Sequence, residues 1–206
     1  MENQRPVIRI IDDDPSMRAA LADLLASMGY ATRGYQSVAA FVEADDDLPG
    51  CMLLDVRMPG EGGLAFFESD AFGSIGLPAI FVSGHGDVAM AVRAMRQGAI
   101  DFLTKPFDDQ ALLDAVNRAI GQDAAVRHER AADADLRARY GLLNAGERDV
   151  LRLIVDGKSN KEAALALGFS EITVKVRRGS VMRKLEAQSL PDLVRLADRL
   201  GHADRT

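Results

Sequence analysis

The first half of the chain alternates short apolar runs with longer stretches in which apolar residues recur every three or four positions. The short runs cover residues 7–11, 31–35, 51–54, 79–82 and 101–104. Such runs, separated by amphipathic stretches, are typical of buried parallel β-strands joined by helices. Five βα units with right-handed crossovers predict an α/β fold, a flavodoxin-like doubly wound sheet of five parallel strands in the order 2-1-3-4-5.

Helix ends in this half are marked by residues that favour them. Pro15 stands where a helix can begin without losing a hydrogen bond, and Gly29 follows the last apolar residue of that helix. Ser37 is placed to cap a second helix. Three more helices are predicted after the Pro- and Gly-rich loop 58–63, over residues 87–97, and from about residue 108.

The last third of the chain has only helical patterns. Asn144 stands three residues before Glu147, a variant of the capping box, and apolar residues follow at helical spacing. A short helix over 160–167 ends at Gly168, Ser170 caps another that runs to about residue 185, and a final helix follows residue 189. Two helices joined by so tight a turn are typical of an all-α helix-turn-helix domain. Residues 121–140 contain few large apolar residues and are predicted to form a linker that can be helical.

Four strands of the predicted sheet end in reactive side chains. Asp12, Asp13 and Asp14 follow the first strand, Asp55 the third, Ser83 the fourth and Lys105 the fifth. Because the carboxyl ends of parallel strands share one edge of a sheet, we expect these side chains to converge. Carboxylates a few ångströms apart stay ionised together only with a cation among them, and hard oxygen ligands favour Mg²⁺. One carboxylate could then act as a nucleophile toward a phosphoryl group, whose charge Mg²⁺ and Lys105 would neutralise.

The composition suits two folded domains outside a membrane. The 206 residues are ample for two domains, and a hydrophobic share of 48% is enough for packed cores. Because Cys51 is the only cysteine, no disulfide can form within the chain. No signal peptide precedes the first strand, and no apolar stretch approaches the roughly 18 residues that a membrane span needs. We therefore expect a cytoplasmic protein without membrane contact.

Charge is divided unevenly along the chain. Residues 1–123 carry 9 Lys and Arg against 19 Asp and Glu, a net of −10, whereas residues 124–206 carry 16 against 12, a net of +4. The basic second half is therefore the one expected to bind a polyanion such as nucleic acid.

The helix after Ser170 has a basic face opposite its apolar stripe. Val174, Val181 and Leu185 lie within about 40° of one another at 100° per residue and form the stripe. Lys175, Val176 and Arg183 point to the opposite side, Arg177 and Arg178 lie at the flanks, and Lys161 and Lys184 can add phosphate contacts. This face predicts a helix that enters the major groove of DNA.

Four motifs resemble the receiver domain of two-component response regulators, particularly of the FixJ type. They are residues 11–14 (IDDD), 55–60 (DVRMPG), 83–87 (SGHGD) and 101–107 (DFLTKPF). Residues 143–197, with Asn160-Lys161-Glu162, Thr173-Val174 and Lys184-Leu185, resemble a LuxR-type DNA-binding domain. The resemblance implies a receiver domain over 1–121, a linker over 122–140 and a LuxR-type helix-turn-helix domain over 141–206.

The resemblance implies a role for each strand-end residue. Asp55 would accept a phosphoryl group from a phosphohistidine on a sensor histidine kinase. Asp13, Asp55 and the backbone carbonyl of Arg57 would hold Mg²⁺, with Asp12 assisting through water. Lys105, joined to Pro106 by a cis peptide bond, would pair with a phosphate oxygen, Ser83 would turn its hydroxyl to the phosphate, and Phe102 would rotate inward. No enzymatic activity is implied beyond assistance to the chain's own phosphotransfer and dephosphorylation.

The resemblance also implies a switch. Phosphorylated Asp55 would favour a homodimer formed through the helix from Asp87, the fifth strand and the helix from Asp108. The dimer would place two helix-turn-helix units on paired half-sites of double-stranded promoter DNA. Contacts to DNA are implied for Lys161, Thr173, Lys175, Val176, Arg177, Arg178, Arg183 and Lys184. The family favours activation of transcription, with RNA polymerase as a further candidate partner.

Three residues of the second domain depart from the family pattern. Arg177 stands where His is usual, Gly179 lies inside the recognition helix, and Ala163 replaces a larger aliphatic residue. Because an interior Gly weakens a helix by roughly 1 kcal/mol relative to Ala, either weaker DNA binding or an unusual operator is expected.

Two other functions fit parts of the pattern. A phosphatase with an aspartate nucleophile also uses a strand-end Asp, Mg²⁺ and a Lys, but it needs a second carboxylate two residues after the nucleophile, where this chain has Arg57. Alternatively, the helical domain binds a protein or an RNA in place of duplex DNA. The dependence of duplex binding on salt and on sequence would separate this alternative from the DNA-binding hypothesis.

Overall fold

The computed structural model describes residues 5–44, 47–60, 62–84 and 88–203. The chain divides into two compact units, Met1–Arg127 and His128–Thr206. Among the described residues, no helix combines the length and the apolar composition that crossing a membrane requires.

The first unit contains a five-stranded parallel sheet. Its strands are β1 (Val7–Ile11), β2 (Ala31–Tyr35), β3 (Gly50–Asp55), β4 (Ala79–Ser83) and β5 (Asp101–Thr104). They lie in the order β2-β1-β3-β4-β5, which confirms the predicted topology. All residues of β1, β3 and β4 are buried, as expected for central strands covered on both faces.

Helices cover both faces of this sheet. They are α1 (Pro15–Ser27), α2 (Val38–Ala44), α3 (Gly63–Phe67), α4 (Asp70–Ile75), α5 (Val88–Arg96) and α6 (Asp109–Gly141). On one face Leu21 and Leu25 of α1 pack with Leu112 and Val116 of α6. The opposite face is rich in aromatic rings contributed by α2, α3 and β4, including Phe67 edge-on to Phe81 with ring centroids 5.1 Å apart.

Two details of these helices differ from the sequence prediction. The single helix predicted after the loop 58–63 is two short helices, α3 and α4, because the Ser69 hydroxyl accepts a hydrogen bond from the Phe72 amide and caps a new helix. Gly76 then ends α4 in the left-handed conformation. Asp87, the predicted first residue of α5, and Glu61 of the loop lie outside the described residues.

Helix α6 is continuous from Asp109 to Gly141, so the segment predicted as a linker is helical. The second unit continues with α7 (Ala145–Val155), α8 (Asn160–Leu167), α9 (Glu171–Lys184) and α10 (Leu190–Ala203). Asn144 and Glu147 form the predicted capping box of α7, and Ser159 and Glu162 form a second one on α8. Leu136 of α6 is buried in the core of this unit, together with residues of α7, α8, α9 and α10.

A buried polar network fixes α6 to the amino-terminal edge of the sheet. One carboxylate oxygen of Asp123 accepts a hydrogen bond of 2.8 Å from the Gly50 amide, and Arg127 donates to the same carboxylate at 3.0 Å. Arg127 and the buried Arg9 of β1 both donate to the Leu48 carbonyl, at 3.2 and 2.8 Å. Gly50 is required here, because a Cβ on it would lie 2.0 Å from the Val7 carbonyl oxygen.

We expect Asp123→Ala to lower the free energy of unfolding of the first unit by about 1–3 kcal/mol, because it leaves the buried Gly50 amide without its acceptor and removes the carboxylate that Arg127 Nε contacts. Urea unfolding followed by far-ultraviolet circular dichroism measures this loss. Asp114→Ala is the matched control, since Asp114 is an exposed carboxylate on the same helix. Equal effects of the two substitutions would show that the network does not contribute.

Candidate functional site

Three strand-end side chains meet at the carboxyl edge of the sheet. The Lys105 ammonium, just after β5, donates to Asp12 Oδ2 at 2.9 Å and to Asp55 Oδ1 at 3.3 Å. Asp12 follows β1 and Asp55 ends β3, and their residues are only 3% and 8% exposed. The parallel topology therefore brings together residues that are 43 to 93 positions apart in sequence, as predicted.

The electrostatics of this cluster leave it short of positive charge. Burial raises the pKa of Asp55, the nearby Lys105 opposes this, and the Asp12 carboxylate raises the pKa further. Burial alone would lower the pKa of Lys105, but its hydrogen bonds to Asp12 and Asp55 and the attraction of both carboxylates raise it. Lys105 is therefore charged at neutral pH, and two carboxylates share it.

The three consecutive aspartates after β1 have different environments. Asp12 points into the cluster, where its Oδ1 also accepts the Asp14 amide at 2.9 Å. Asp13 is exposed. Asp14 was expected to converge with the others, but its carboxylate instead caps α1 by accepting the amides of Ser16 and Met17. Within the described parts of the chain, no group of three or more Asp, Glu, His or Cys side chains is arranged to hold a metal ion by itself.

The loop after Asp55 is held against the site by its backbone. The Arg57 amide donates to Asp55 Oδ2 at 2.9 Å, so both oxygens of the Asp55 carboxylate accept hydrogen bonds. Gly63, the first residue of α3, lies so close to the strand that a Cβ on it would sit 2.1 Å from the Asp55 carbonyl oxygen. The absence of a side chain at Gly63 therefore allows this loop to approach the strand end.

The remaining predicted switch residues lie on the two neighbouring strands. Ser83 ends β4, is buried, and its carbonyl accepts the Lys105 amide at 2.7 Å. The peptide bond between Lys105 and Pro106 is cis, as the resemblance implies. Phe102 is partly buried, with its ring stacked on that of Phe81 at a centroid distance of 6.2 Å.

In the second unit, part of the predicted DNA-binding set lies on the exposed face of α9. Val174, Val181 and Leu185 are buried, which confirms the apolar stripe. On the other side Lys175, Val176 and Arg183 are exposed, and Lys161 is exposed on α8. Thr173 is partly buried at the start of α9, with its hydroxyl 2.8 Å from that of Ser170.

Three other residues of that set, Lys184, Arg178 and Arg177, have partners inside the domain, and their contact with DNA stays a prediction. The Lys184 ammonium donates to Glu147 at 2.6 Å and to the Leu142 carbonyl at 3.0 Å. The Arg178 guanidinium donates to the Asn160 side chain at 3.0 Å. Both side chains therefore join α9 to neighbouring helices. Their partners are distant in sequence, and helical periodicity carries no signal for them.

Arg177 also turns toward the domain. Its guanidinium carbon lies 4.1 Å from the centre of the Phe169 ring, a cation–π contact. Its Nη1 atom is buried and has no hydrogen-bond partner in the described structure. The guanidinium lies against Gly146: a Cβ there would be 1.9 Å from Nη1, so a larger residue would require this end of the flexible Arg177 side chain to move.

Glu147 joins the start of α7 to the recognition helix α9. Its carboxylate accepts hydrogen bonds from Lys184, from the Ser180 hydroxyl at 2.7 Å and from the Asn144 amide at 2.8 Å. Hydrogen bonds from Lys184 and Ser180, the largest causes, lower the pKa of Glu147 to about 2 although burial opposes them. Sequence reasoning identified Glu147 only as a capping residue.

This network makes the second unit sensitive to acid. Because the pKa of Glu147 falls from 4.5 to about 2 on folding, its contribution to stability is complete above about pH 4.5 and is lost as the pH falls toward 2. We expect Glu147→Gln to cost about 2–3 kcal/mol at neutral pH and to flatten the loss of stability across that window.

Amide hydrogen exchange in α7 and α9 as a function of pH measures this effect. Glu162→Gln is the control, because Glu162 occupies the same capping-box position on α8 but is exposed. If both variants lose the same stability and keep the same acid dependence, the ion pair with Lys184 does not hold α9.

Two protein families match the chain. Residues 8–117 match the response regulator receiver domain, and residues 142–197 match the luxR family of bacterial regulatory proteins. Together these two matches account for both compact units.

Relatives and solved structures match over nearly the full length. Nodulation protein W of Bradyrhizobium diazoefficiens is 41% identical over 207 aligned positions, covering 98% of this chain and 91% of that protein. Transcriptional regulatory protein FixJ of Azorhizobium caulinodans is 44% identical over 197 aligned positions, covering 95% of this chain and 93% of that protein. The structure of response regulator StyR has a TM-score of 0.84 at 40% identity, covering 95% of this chain and 99% of that one. The structure of full-length FixJ from B. japonicum has a TM-score of 0.57 at 37% identity, covering 97% of this chain and 99% of that one.

Proposed function

Because this chain belongs to the response regulators that join a receiver domain to a luxR-family DNA-binding domain, we propose that Asp55 is its phosphoacceptor. The chain is a FixJ-like transcriptional regulator of a two-component system, with a histidine kinase and DNA as partners. The observation that carries the assignment of Asp55 is the Lys105 ammonium, which bridges Asp55 and Asp12 at the carboxyl edge of the sheet.

The chemistry follows from these groups. An ionised Asp55 oxygen attacks the phosphorus of a phosphohistidine, an O–P bond forms, and the N–P bond to the kinase histidine breaks. Lys105 neutralises charge on the transferred phosphoryl group, and the Ser83 hydroxyl donates to one of its oxygens. The arriving group adds nearly two negative charges beside Asp12, so Lys105 and Ser83 move toward it. The chain assists only its own phosphotransfer and dephosphorylation.

Receiver domains of this family generally bind Mg²⁺ at the phosphorylation site. The residues here fit that ion, because two carboxylates share a single ammonium and the atoms available as metal ligands are hard oxygens. Asp13, Asp55 and the backbone carbonyl of Arg57 would hold it, with Asp12 assisting through water. When bound, Mg²⁺ supplies positive charge for the oxygens of the phosphoryl group.

The exposed face of α5 supports a phosphorylation-dependent homodimer. Val88, Val92 and Met95 are large apolar side chains that lie 46–75% exposed on this short helix. Arg93 of the same helix pairs with Glu68, and Arg118 of α6 pairs with Asp101 of β5. We infer that α5, β5 and α6 form the dimer surface. The dimer would present two α9 helices to promoter DNA and would activate transcription with RNA polymerase.

We expect Asp55→Asn to abolish phosphoryl incorporation from acetyl phosphate in the presence of Mg²⁺, while the fold survives because the variant removes a charge that burial disfavours. Intact-mass spectrometry measures incorporation, and circular dichroism checks the fold. Asp101→Asn is the control. Asp101 is an aspartate at the start of β5, at the other end of the strand from the site, and its side chain pairs with Arg118. Phosphate retained in Asp55→Asn would assign the acceptor role to another residue.

We expect the wild-type chain to dimerise when beryllofluoride and Mg²⁺ are added. Val92→Asp should prevent this dimerisation, because it places a charge in an apolar interface. Sedimentation velocity measures the monomer and dimer populations. Val42→Asp is a matched control, since Val42 is similarly exposed on α2. Dimerisation of the Val92 variant to the wild-type extent would exclude this face of α5.

The two kinds of basic residue on α9 should behave differently. We expect Arg183→Ala to reduce the slope of log affinity against log salt by about 1 without changing protein stability, because Arg183 is exposed. Lys184→Ala should instead lower the stability of the second unit, because it leaves the buried Glu147 carboxylate without its ammonium. Fluorescence anisotropy across a salt series and thermal unfolding measure the two effects. If the two variants changed the salt dependence and the thermal stability to the same extent, Arg183 and Lys184 would not have the separate roles described here.

A further inference from the structure

Three of the four residues in the most outward row of α9 are uncharged. At 100° per residue, Ile172, Val176, Gly179 and Arg183 fall within about 60° of one another. The centre of this row lies diametrically opposite the buried stripe of Val174, Val181 and Leu185. We call Ile172, Val176 and Gly179 the apolar row.

The side chains of the apolar row contribute little to the protein itself. Ile172 is 76% exposed and Val176 is 66% exposed. Both are β-branched, which lowers helix propensity, so helix formation does not account for them either. Gly179 has no heavy atom within 4 Å of the position where its Cβ would be, so no packing requires it to be small. The row is therefore open to contact with a partner outside the domain.

The charges around the row identify the partner. Lys175 precedes Val176, and Arg183 continues the row by one turn, and both are exposed. A helix face with basic residues beside apolar ones matches the major groove of duplex DNA, where phosphates line the edges. On the floor of that groove, the apolar group is the 5-methyl of thymine.

We propose that Ile172 and Val176 form a subsite for thymine methyl groups, and that the missing side chain at Gly179 lets the next base pair approach the helix closely. This inference rests on the proposed function, because it requires α9 to enter the major groove. It makes this chain a reader of thymine by apolar contact, with Lys175 and Arg183 supplying the charge.

The test uses the full chain with beryllofluoride and Mg²⁺ and a duplex selected from a random pool. Each thymine of that duplex is replaced in turn by deoxyuridine, which removes only the methyl group. We expect at least one thymine in each half-site at which the replacement weakens binding about fourfold, the effect of one buried carbon.

Protein variants link the methyl groups to these residues. Ile172→Ala and Val176→Ala should bind the thymine duplex about as weakly as the wild type binds the deoxyuridine duplex. Replacing thymine by deoxyuridine should not weaken the binding of these two variants any further. Leu165→Ala is the control, because Leu165 is an aliphatic residue 87% exposed on α8 and outside the row. It should leave the response to deoxyuridine unchanged.

Gly179→Ala separates a DNA contact from a structural role. The added methyl group meets no protein atom and improves helix propensity, so thermal stability should rise. DNA affinity should nevertheless fall, because the methyl group stands between the helix and the base pair.

Two results would overturn the inference while leaving the proposed function intact. One is specific duplex binding that no thymine-to-deoxyuridine replacement weakens, and the other is a deoxyuridine effect of equal size in the wild type and in both alanine variants. Absence of any sequence preference among duplexes would instead reject the DNA-binding mode of α9, and this inference with it.

Discussion

The receiver unit is organised around two buried carboxylates that share one ammonium. Like charges held close in a partly buried site repel by roughly several kcal/mol, and Lys105 offsets only part of that repulsion between Asp12 and Asp55. Burial is the largest cause of the raised pKa of Asp55; the Lys105 ammonium opposes it, and the Asp12 carboxylate adds to it. An added cation would compensate the carboxylate charge that the single Lys105 ammonium leaves unbalanced. The parallel sheet maintains the arrangement by fixing the ends of β1, β3 and β5 at one edge.

Much of the receiver could be predicted from sequence because its signals are local. Buried central strands appear as apolar runs, and five successive βα units indicate the flavodoxin-like strand order, so the convergence of Asp12, Asp55 and Lys105 was predictable. The separate roles of the aspartates were not, because neighbouring identical residues differ only in where the loop turns them. Asp14 caps α1, and that role depends on backbone geometry that composition does not reveal. The break between α3 and α4 was missed because the helices are too short for periodicity to register.

In the second unit, the pattern along the sequence predicted burial but not the partners of the polar side chains. Helical periodicity gave the buried stripe of α9 correctly, since it depends only on the angle around the helix. It could not say which basic side chains have partners on other helices. Glu147, Asn160 and Phe169 come from other parts of the chain and bind three of the residues that had seemed to face DNA. Charge on a helix face therefore does not by itself identify nucleic-acid contacts, because some basic side chains also join the helix to the rest of its domain.

The contact between Arg177 and Gly146 links two positions that lie far apart in the chain. The guanidinium occupies the volume that any larger residue at 146 would need. Because Nη1 is the end of a flexible side chain, a larger residue at 146 would displace the guanidinium from its place on the Phe169 ring and leave the backbone of the domain where it is.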